Sequence, residues 1–158
     1  PISTLRGNGW PQCSMVSYAN EDILIYFLAS RRSQKFANIT KDDRVSLAIG
    51  ADADDPAAIR ALSIAGRASE VQDASQRERV ISFVLQRRPA LSRFGPYGPD
   101  RCAVMLIEPE IITVLDYSKG IGHSEVLTIG AGNLVMTTTA REPNWGFATE
   151  PREAGQAV

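Results

Sequence analysis

The chain has 158 residues, of which 44% are hydrophobic and 22% are charged, an ordinary composition for one globular domain. Its 17 Lys and Arg against 18 Asp and Glu give a formal net charge of −1, which argues against a nucleic-acid partner. No apolar run approaches the roughly 18 residues of a membrane span, and two cysteines do not make a disulfide scaffold. We therefore expect a cytoplasmic protein without membrane contact. The chain begins at Pro1 rather than Met, so a leader or an N-terminal helix could precede it.

Short apolar runs separated by turn residues predict an antiparallel β protein from the first residues onward. Residues 2–5 are typical of the end of a first strand, and the Arg-Gly-Asn-Gly segment at 6–9 favours a tight hairpin turn. Residues 11–18 are predicted to form a strand, 19–22 a turn and 23–28 a fully apolar strand.

Two helices are predicted among the following strands. Residues 36–41 begin a helical apolar pattern, and 45–49 then alternate as a half-buried strand. Residues 62–68 share one apolar strand face, within which Gly66 indicates a bulge or a close backbone contact. Asp73, with Gln76 three residues later, predicts the capped start of a second helix.

The last third of the chain reads as β structure. Residues 102–107 and 111–115 are predicted as two strands around a Glu-Pro-Glu turn at 108–110. Residues 126–129 and 134–138 are predicted to form a final hairpin.

Six to eight antiparallel strands with two inserted helices favour a closed barrel over a βαβ sheet. The fold class that we predict is therefore mainly β with inserted helices. We expect residues 1–140 to form one domain and residues 141–158 to be a loosely held C-terminal tail.

A short basic segment precedes the first predicted helix and suggests an anion site. A helix N-terminus offers unpaired N–H groups and the positive end of a dipole, and cations and hydroxyls beside it favour phosphate. The alternative is a simple helix cap at Ser33 with its basic neighbours in solvent. The residues concerned are Ser30, Arg31, Arg32, Ser33, Gln34 and Lys35.

Few residues suggest catalysis. His123 is the only histidine, and no cysteine or carboxylate stands at zinc-site spacing from it, so no metal site is predicted. Cys13 and Cys102 lie in apolar strand-like segments, where a free cysteine is usually a small hydrophobic residue. The chain has neither the glycine-rich fingerprint of a Rossmann fold nor a phosphate-binding loop.

Four segments in order resemble the pyridoxamine 5′-phosphate oxidase-like split-barrel family of FMN-binding proteins. They are 9–14 with 23–28, the Ser33-Gln34-Lys35 signature with Asn38 and 43–47, the strand at 60–70, and 116–120 with Gly122 and His123. The resemblance covers nearly the whole chain and implies a split β-barrel fold.

The resemblance also implies a site. Ser33 and Lys35, supported by Arg31 or Arg32, would hold the FMN phosphate. The strand formed by Gln12, Cys13, Ser14, Met15 and Val16 would run beside the ribityl chain and the flavin ring, with backbone contacts from Leu28, Ala29 and Ser30.

Such proteins are homodimers with the flavin between subunits. The apolar runs at 23–28 and 102–107, which one small barrel would not readily cover on both faces, agree with that expectation. The remaining partner would be a small-molecule substrate.

Departures from the family pattern limit the activity that can be expected. Ala61 and Ser63 stand where the oxidase carries Gln and usually Arg, and residues 151–158 lack its Arg-Leu-x-Pro-like end. We therefore expect FMN binding with hydride or electron transfer, but not efficient oxidation of pyridoxamine 5′-phosphate.

Three alternatives stay open: a deazaflavin (F420)-dependent reductase, a haem-binding split barrel with His123 as axial ligand, and a non-catalytic, stress-associated flavin-binding protein. His123 and Lys119 are the candidates for polarising the flavin or meeting a substrate. The substrate and the electron donor are not predicted.

Overall fold

A computed structural model describes residues 1–51, 53–120 and 122–130, and the backbone of residues 133–135. Within them lie nine strands and two α-helices. The strands are β1 (Ile2–Leu5), β2 (Pro11–Ser14), β3 (Tyr18–Glu21), β4 (Leu24–Ser30), β5 (Arg44–Gly50), β6 (Arg60–Glu70), β7 (Cys102–Asp116), β8 (Ser124–Gly130) and β9 (Asn133–Val135). The helices are α1 (Gln34–Ile39) and α2 (Ala74–Arg87), and single 3-10 turns span Pro56–Ala58, Pro89–Phe94 and Tyr117–Lys119.

All strand pairs are antiparallel, and the strands follow the order β2-β1-β5-β6-β7-β4-β3, with β8 on β7 and β9 on β8. Inward side chains of β1, β4, β5, β6 and β7 meet α1 in one core, which includes Ile2, Phe27, Leu47, Ile64 and Ile107. The sheet therefore curls around a single interior, and the predicted mainly β fold with inserted helices is confirmed.

The predicted closed barrel is not closed by strand pairing within the described residues. β2 and β3 lie at the two ends of the strand path, and no ladder joins them there. Helix α1 packs against both β1 and β4, the strands that neighbour these two end strands. The strand count of nine is one above the predicted range because residues 18–21 form a strand of their own.

The predicted turn at residues 19–22 is wrong. Tyr18–Glu21 pairs with β4 as a hairpin in which Asn20 lies opposite Ile25, and the chain reverses at Asp22, whose φ is 51°. Ala19 is 4% exposed and belongs to the core beneath α2. Burial of this small residue keeps the segment extended, and aspartate is among the residues that best tolerate a left-handed turn position.

The predicted turn at residues 108–110 is also wrong, because β7 runs unbroken through it. One edge of β7 pairs with β6, while its other edge pairs first with β4 and then with β8. Pro109 lies where these two partners change over and opposite Gly66, where the register with β6 shifts. A Cβ at Gly66 would collide with the backbone oxygen of Glu108, so the predicted bulge and close backbone contact are confirmed.

Helix α2 is confirmed and covers the outer face of β4 and β7. The Asp73 carboxylate accepts a hydrogen bond from the Gln76 N–H at 2.7 Å, a standard N-cap. Val80 and Val84 are fully buried and pack with Tyr26 and Val104. Strand β4 is thus covered by the barrel interior on one face and by α2 on the other, so its apolar sequence requires no second subunit.

The remaining predicted elements are present with shifted bounds. Helix α1 spans Gln34–Ile39 rather than 36–41, and β8 pairs with β9 as the last hairpin. Residues 136–138 of that hairpin and the tail at 141–158 lie outside the described residues. No helix in the described part of the chain is long and apolar enough to cross a bilayer.

Candidate cofactor-binding site

Two adjoining clefts lie where the end of β4, the start of α1 and the segment between α2 and β7 meet. The Lys35 cleft has a volume of ≈ 210 Å³ and is lined by Met15, Val16, Ser17, Leu28, Lys35, Leu91, Phe94 and Tyr97. The Arg101 cleft has a volume of ≈ 240 Å³ and is lined by Leu28, Ala29, Ser30, Phe94, Pro96, Tyr97, Arg101 and Cys102. The two share Leu28, Phe94 and Tyr97 as a common wall.

Each cleft contains one charged residue, and in both cases it is a cation. Lys35 and Arg101 have no ion-pair partner in the described part of the chain. Met15 and Phe94, which line the clefts, are 80% and 74% exposed. An uncompensated cation beside exposed apolar side chains suits a ligand that joins an anionic group to a planar apolar body.

Arg31 does not contribute a free charge. Its guanidinium makes a two-pronged ion pair with Glu70, its Nε donates to the Pro99 carbonyl at 2.5 Å, and it lies 5.3 Å from the Phe36 ring centre. Its backbone N–H also donates to the Arg101 carbonyl at 3.1 Å. Arg31 therefore fixes the segment around Pro99 and Arg101 to the end of β4.

The hydroxyls of the basic segment serve the backbone, as in the capping alternative. The Ser33 hydroxyl donates to the Ser30 carbonyl at 2.7 Å and accepts from the Phe36 N–H at 3.4 Å. The Ser30 hydroxyl accepts from the Arg32 N–H at 3.3 Å. Arg32 is exposed and has no ion pair among the described residues, which leaves Lys35 and Arg32 as the cations free to meet a ligand near α1.

A buried amide network holds α1 against the first hairpin. Asn38 is 1% exposed; its Nδ2 donates to Thr4 Oγ1 at 2.9 Å and to Gln12 Oε1 at 3.0 Å. Its Oδ1 accepts from Gln34 Nε2 at 2.9 Å. The Gln12 side chain is thus committed to positioning α1, and with it Lys35.

Half of the residues predicted to bind the cofactor line the two clefts. These residues are Met15, Val16, Leu28, Ala29, Ser30 and Lys35. Those that do not are Gln12, Cys13, Ser14, Arg31, Arg32 and Ser33; Cys13 is exposed on edge strand β2.

Sequence reasoning missed the opposite wall, formed by Leu91, Phe94, Tyr97 and Arg101. These residues follow α2 and lack a motif, and long-range contacts bring them to the site. The Arg77 guanidinium donates to the Tyr97 carbonyl at 2.6 Å, in addition to the contacts of Arg31. Only the exposed Phe94 beside prolines and glycines could have signalled a binding loop.

His123 and Lys119, the candidates for polarising the flavin or meeting a substrate, do not line either cleft. Glu125 Oε1 accepts from Lys119 Nζ at 2.8 Å and lies 3.1 Å from His123 Nε2. Bonds from Lys119 and His123 hold the pKa of the Glu125 carboxyl below its ordinary value. His123 hydrogen-bonds through its backbone to Asp116, whereas Cys102 begins β7 at the clefts. The two sites therefore lie at opposite ends of β7.

Cysteine and metal chemistry gain no support from the described residues. Cys102 is buried, and burial raises the pKa of its thiol, the opposite of what a nucleophile needs. Among the residues that the structure describes, no three His, Cys, Asp or Glu side chains are grouped so as to hold a metal ion.

Comparison with known protein families identifies the fold. The pyridoxamine 5′-phosphate oxidase family profile matches residues 1–114, which include α1, both clefts and most of β7. The chain belongs to this family. The family resemblance given by the sequence is therefore confirmed, while no curated protein matches the chain significantly.

Solved structures share the split-barrel fold at low sequence identity. A haem-binding protein from Mycobacterium smegmatis has a TM-score of 0.69 and 22% identity over 80% of this chain and 51% of that protein, so this chain spans about half of its length. A pyridoxamine 5′-phosphate oxidase-related, FMN-binding protein from Nostoc punctiforme has a TM-score of 0.66 and 16% identity, covering 90% and 86%. HutZ, a haem storage protein from Vibrio cholerae, has a TM-score of 0.60 and 20% identity, covering 69% and 79%.

Proposed function

We propose that the protein binds FMN, with the phosphate against Lys35 and the flavin ring over the exposed apolar residues of the Lys35 cleft. The observation that carries this proposal is that Lys35 is the one charged residue lining that cleft and has no ion pair among the described residues. An ammonium group held beside an apolar wall matches the two ends of a flavin mononucleotide. The FMN-binding relative from Nostoc punctiforme supports the choice of cofactor.

The proposed activity is that of an oxidoreductase. Bound FMN would supply hydride or electron transfer at its ring, while the chain supplies binding and orientation. Lys35 would hold the phosphate. The hydrogen bonds from Asn38 to Thr4 and Gln12 would fix the position of α1, and with it Lys35, relative to β1 and β2. Met15 and Phe94 would exclude water from one face of the ring. No histidine or carboxylate lines the Lys35 cleft in the described part of the chain.

A homodimer with the flavin between subunits is part of the proposal. The supporting observation is exposed apolar surface in three places: Trp10 in the β1–β2 hairpin is 71% exposed, Met15 at the Lys35 cleft is 80% exposed, and Ile111 in the second half of β7 is 43% exposed. A second subunit would shield these side chains from water. Sedimentation equilibrium of the FMN-loaded protein at micromolar concentration should show a dimer; a monomer that retains FMN would contradict this part.

Replacement of Lys35 tests the cofactor site. Lys35→Ala should weaken FMN binding about tenfold or more, because a charge-assisted bond to phosphate is lost, and Ser33→Ala should have a smaller effect. Titration followed by flavin fluorescence measures both affinities. Lys41→Ala is the matched control, since Lys41 is exposed just beyond the other end of α1 and lines neither cleft. Equal FMN affinity in wild type and the Lys35 variant would refute the site.

Haem binding is the second candidate function, and two structural relatives described as haem proteins favour it. His123 is the only histidine, and its Nε2 faces the ionised Glu125 carboxylate at 3.1 Å. A His123 tautomer that donates from Nε2 to Glu125 would leave the Nδ1 lone pair for a ligand.

Absorption and mass spectrometry of the chromophore that co-purifies with the protein would separate the alternatives. A flavin spectrum with the mass of FMN supports the main proposal. A Soret band that is lost in His123→Ala would replace it with haem binding, and the mass of F420 would replace it with a deazaflavin.

A further inference from the structure

The opposite wall of the clefts has little buried surface of its own. No residue of Pro89–Phe94 is buried. In the described part of the chain, two arginines tie the wall to the rest of the fold: Arg77 donates to the Tyr97 carbonyl at 2.6 Å, and Arg31 donates to the Pro99 carbonyl at 2.5 Å. Because a segment with few buried contacts opens easily, these hydrogen bonds determine where the wall stands.

Arg31 also contacts the other side of the site. Its guanidinium carbon lies 5.3 Å from the centre of the Phe36 ring, and Phe36 follows Lys35 in α1. A guanidinium at this distance is attracted by the ring face. The Arg31 N–H donates to the Arg101 carbonyl at 3.1 Å. One residue therefore joins the helix that carries Lys35 to the wall that faces it.

The orientation of Arg31 is fixed from outside the clefts. Glu70 ends β6 and lines neither cleft. Its two carboxylate oxygens accept hydrogen bonds from Nη1 and Nη2 of Arg31, and the two side chains are only 17% and 33% exposed. Water screens a partly buried pair less than an exposed one, and two parallel bonds restrict the rotation of the guanidinium.

We propose that Glu70 is a positioning residue for the cofactor site, which acts through Arg31 to hold the opposite wall in place and so retains bound FMN. The inference rests on the proposed function, because it concerns how long FMN stays in the Lys35 cleft. It gives Arg31 a role other than the phosphate contact that the family resemblance implies: Lys35 holds the phosphate, and Arg31 joins the two walls around it.

Glu70→Gln tests the inference in the protein without FMN, because it removes the charge but keeps the size of the side chain and one acceptor oxygen. The Arg101 and Cys102 N–H groups both donate to the Gly98 carbonyl, so their hydrogen exchange reports on the end of the wall. Exchange at these two amides should be faster in the variant, because Arg31 is no longer held in one orientation.

The same variant tests retention of the cofactor. FMN should dissociate from Glu70→Gln about tenfold faster than from the wild type, while its association rate changes little, because the wall acts on bound FMN. Stopped-flow flavin fluorescence measures both rates. Arg31→Lys is a second variant that keeps the cation but cannot form the planar pair of bonds, and it should release FMN faster as well.

A matched control separates positioning from a general loss of stability. Glu21 also bonds through both carboxylate oxygens to one guanidinium, that of Arg79, and neither residue lines a cleft. Glu21→Gln should therefore release FMN as the wild type does. Glu70→Gln added to Arg31→Ala should have no effect beyond that of Arg31→Ala, because Glu70 acts only through Arg31.

The outcomes distinguish this inference from the cofactor proposal. Wild-type dissociation rates or unchanged amide exchange in Glu70→Gln, with FMN binding still weakened by Lys35→Ala, overturn the inference and leave the cofactor site standing. Equal acceleration in Glu70→Gln and Glu21→Gln also overturns it, as do additive effects of Glu70→Gln and Arg31→Ala. A wild-type protein that binds no FMN refutes the cofactor proposal and this inference together.

Discussion

The two halves of β7 have similar apolar sequences and different surroundings. Residues 102–107 are almost completely buried, with Ala103, Val104 and Ile107 at 0% exposure, whereas Ile111 is 43% exposed and the residues after it are half-buried. The first half lies between the barrel core and α2. The second half pairs with β6 and β8 and has no helix over it among the described residues.

This difference shows why apolar runs alone do not reveal an interface. The run at 102–107 was one reason to expect a dimer, yet α2 of the same chain covers its outer face. The partly exposed run at 111–115 is the one that a second subunit would shield. An apolar run in the sequence indicates only that the strand is to be buried. The tertiary structure shows whether a helix of the same chain or a second subunit can bury it.

Two isoleucines on the same strand provide the strongest test of the comparison. Ile107→Ala should lower the free energy of unfolding by about 2–5 kcal/mol, because it opens a cavity in a closed core. Ile111→Ala should cost about 1 kcal/mol or less in the monomer, since its side chain is already half in solvent. Urea denaturation of both variants measures the difference, and equal losses would show that the two halves are equally buried in solution.

Protein concentration extends that test to the dimer. If a second subunit covers residue 111, the cost of Ile111→Ala should rise with concentration, because association adds to stability by mass action. The cost of Ile107→Ala should not. If the loss of unfolding free energy caused by Ile111→Ala does not change with protein concentration, residue 111 does not lie in a dimer interface.

The stability of the fold around α1 should also depend on the buried hydrogen bonds of Asn38. Asn38→Ala removes a buried amide and leaves Thr4, Gln12 and Gln34 without their shared partner, so we expect a loss of about 1–3 kcal/mol. FMN affinity should fall as well, because Lys35 lies one helical turn away. Gln34→Ala removes only the bond to Asn38 Oδ1 and leaves the bonds to Thr4 and Gln12 intact, so it should cost less than Asn38→Ala.

Helix caps provide a smaller test of how far α2 protects the first half of β7. Asp73→Ala should cost about 1 kcal/mol through loss of the cap on α2. Hydrogen exchange should then increase in α2 and residues 102–107 more than in residues 111–115. Exchange that rises equally in both halves would mean that α2 is not a separate cover.

Acid should lower the local stability of the second half of β7 more than that of the first half. This is the smallest of the effects predicted for the comparison. Hydrogen bonds from Ser118 lower the pKa of Asp116, and bonds from Lys119 and His123 lower that of Glu125. A depressed pKa in the folded state adds stability above the unfolded value, and that stability is lost as pH falls through the folded value. The protection factors of residues 111–130 should therefore fall below about pH 4, and protection factors that stay constant down to pH 3 would contradict it.

Local patterns predicted much of the fold and part of the site. Alternation in β5 and β6, the Asp73 cap and the bulge at Gly66 could be read directly because each depends on neighbouring residues. The basic segment before α1 likewise predicted Lys35 as a candidate for the anion site, whereas Leu28 was predicted only through the family resemblance; both line the Lys35 cleft. The turns at 19–22 and 108–110 were misjudged because burial against α2 and exchange of strand partners on β7 keep these segments extended.

The sequence by itself determined that the chain is a β protein with two helices of a recognisable family, and that a cation follows an apolar strand. Only the tertiary structure decided which cations are free. Arg31 is neutralised by Glu70, 39 residues away, while Arg77, Arg101 and Lys35 have no such partner among the described residues. The reason is that the availability of a charge depends on its spatial neighbours, and in this antiparallel sheet those neighbours come from distant parts of the chain.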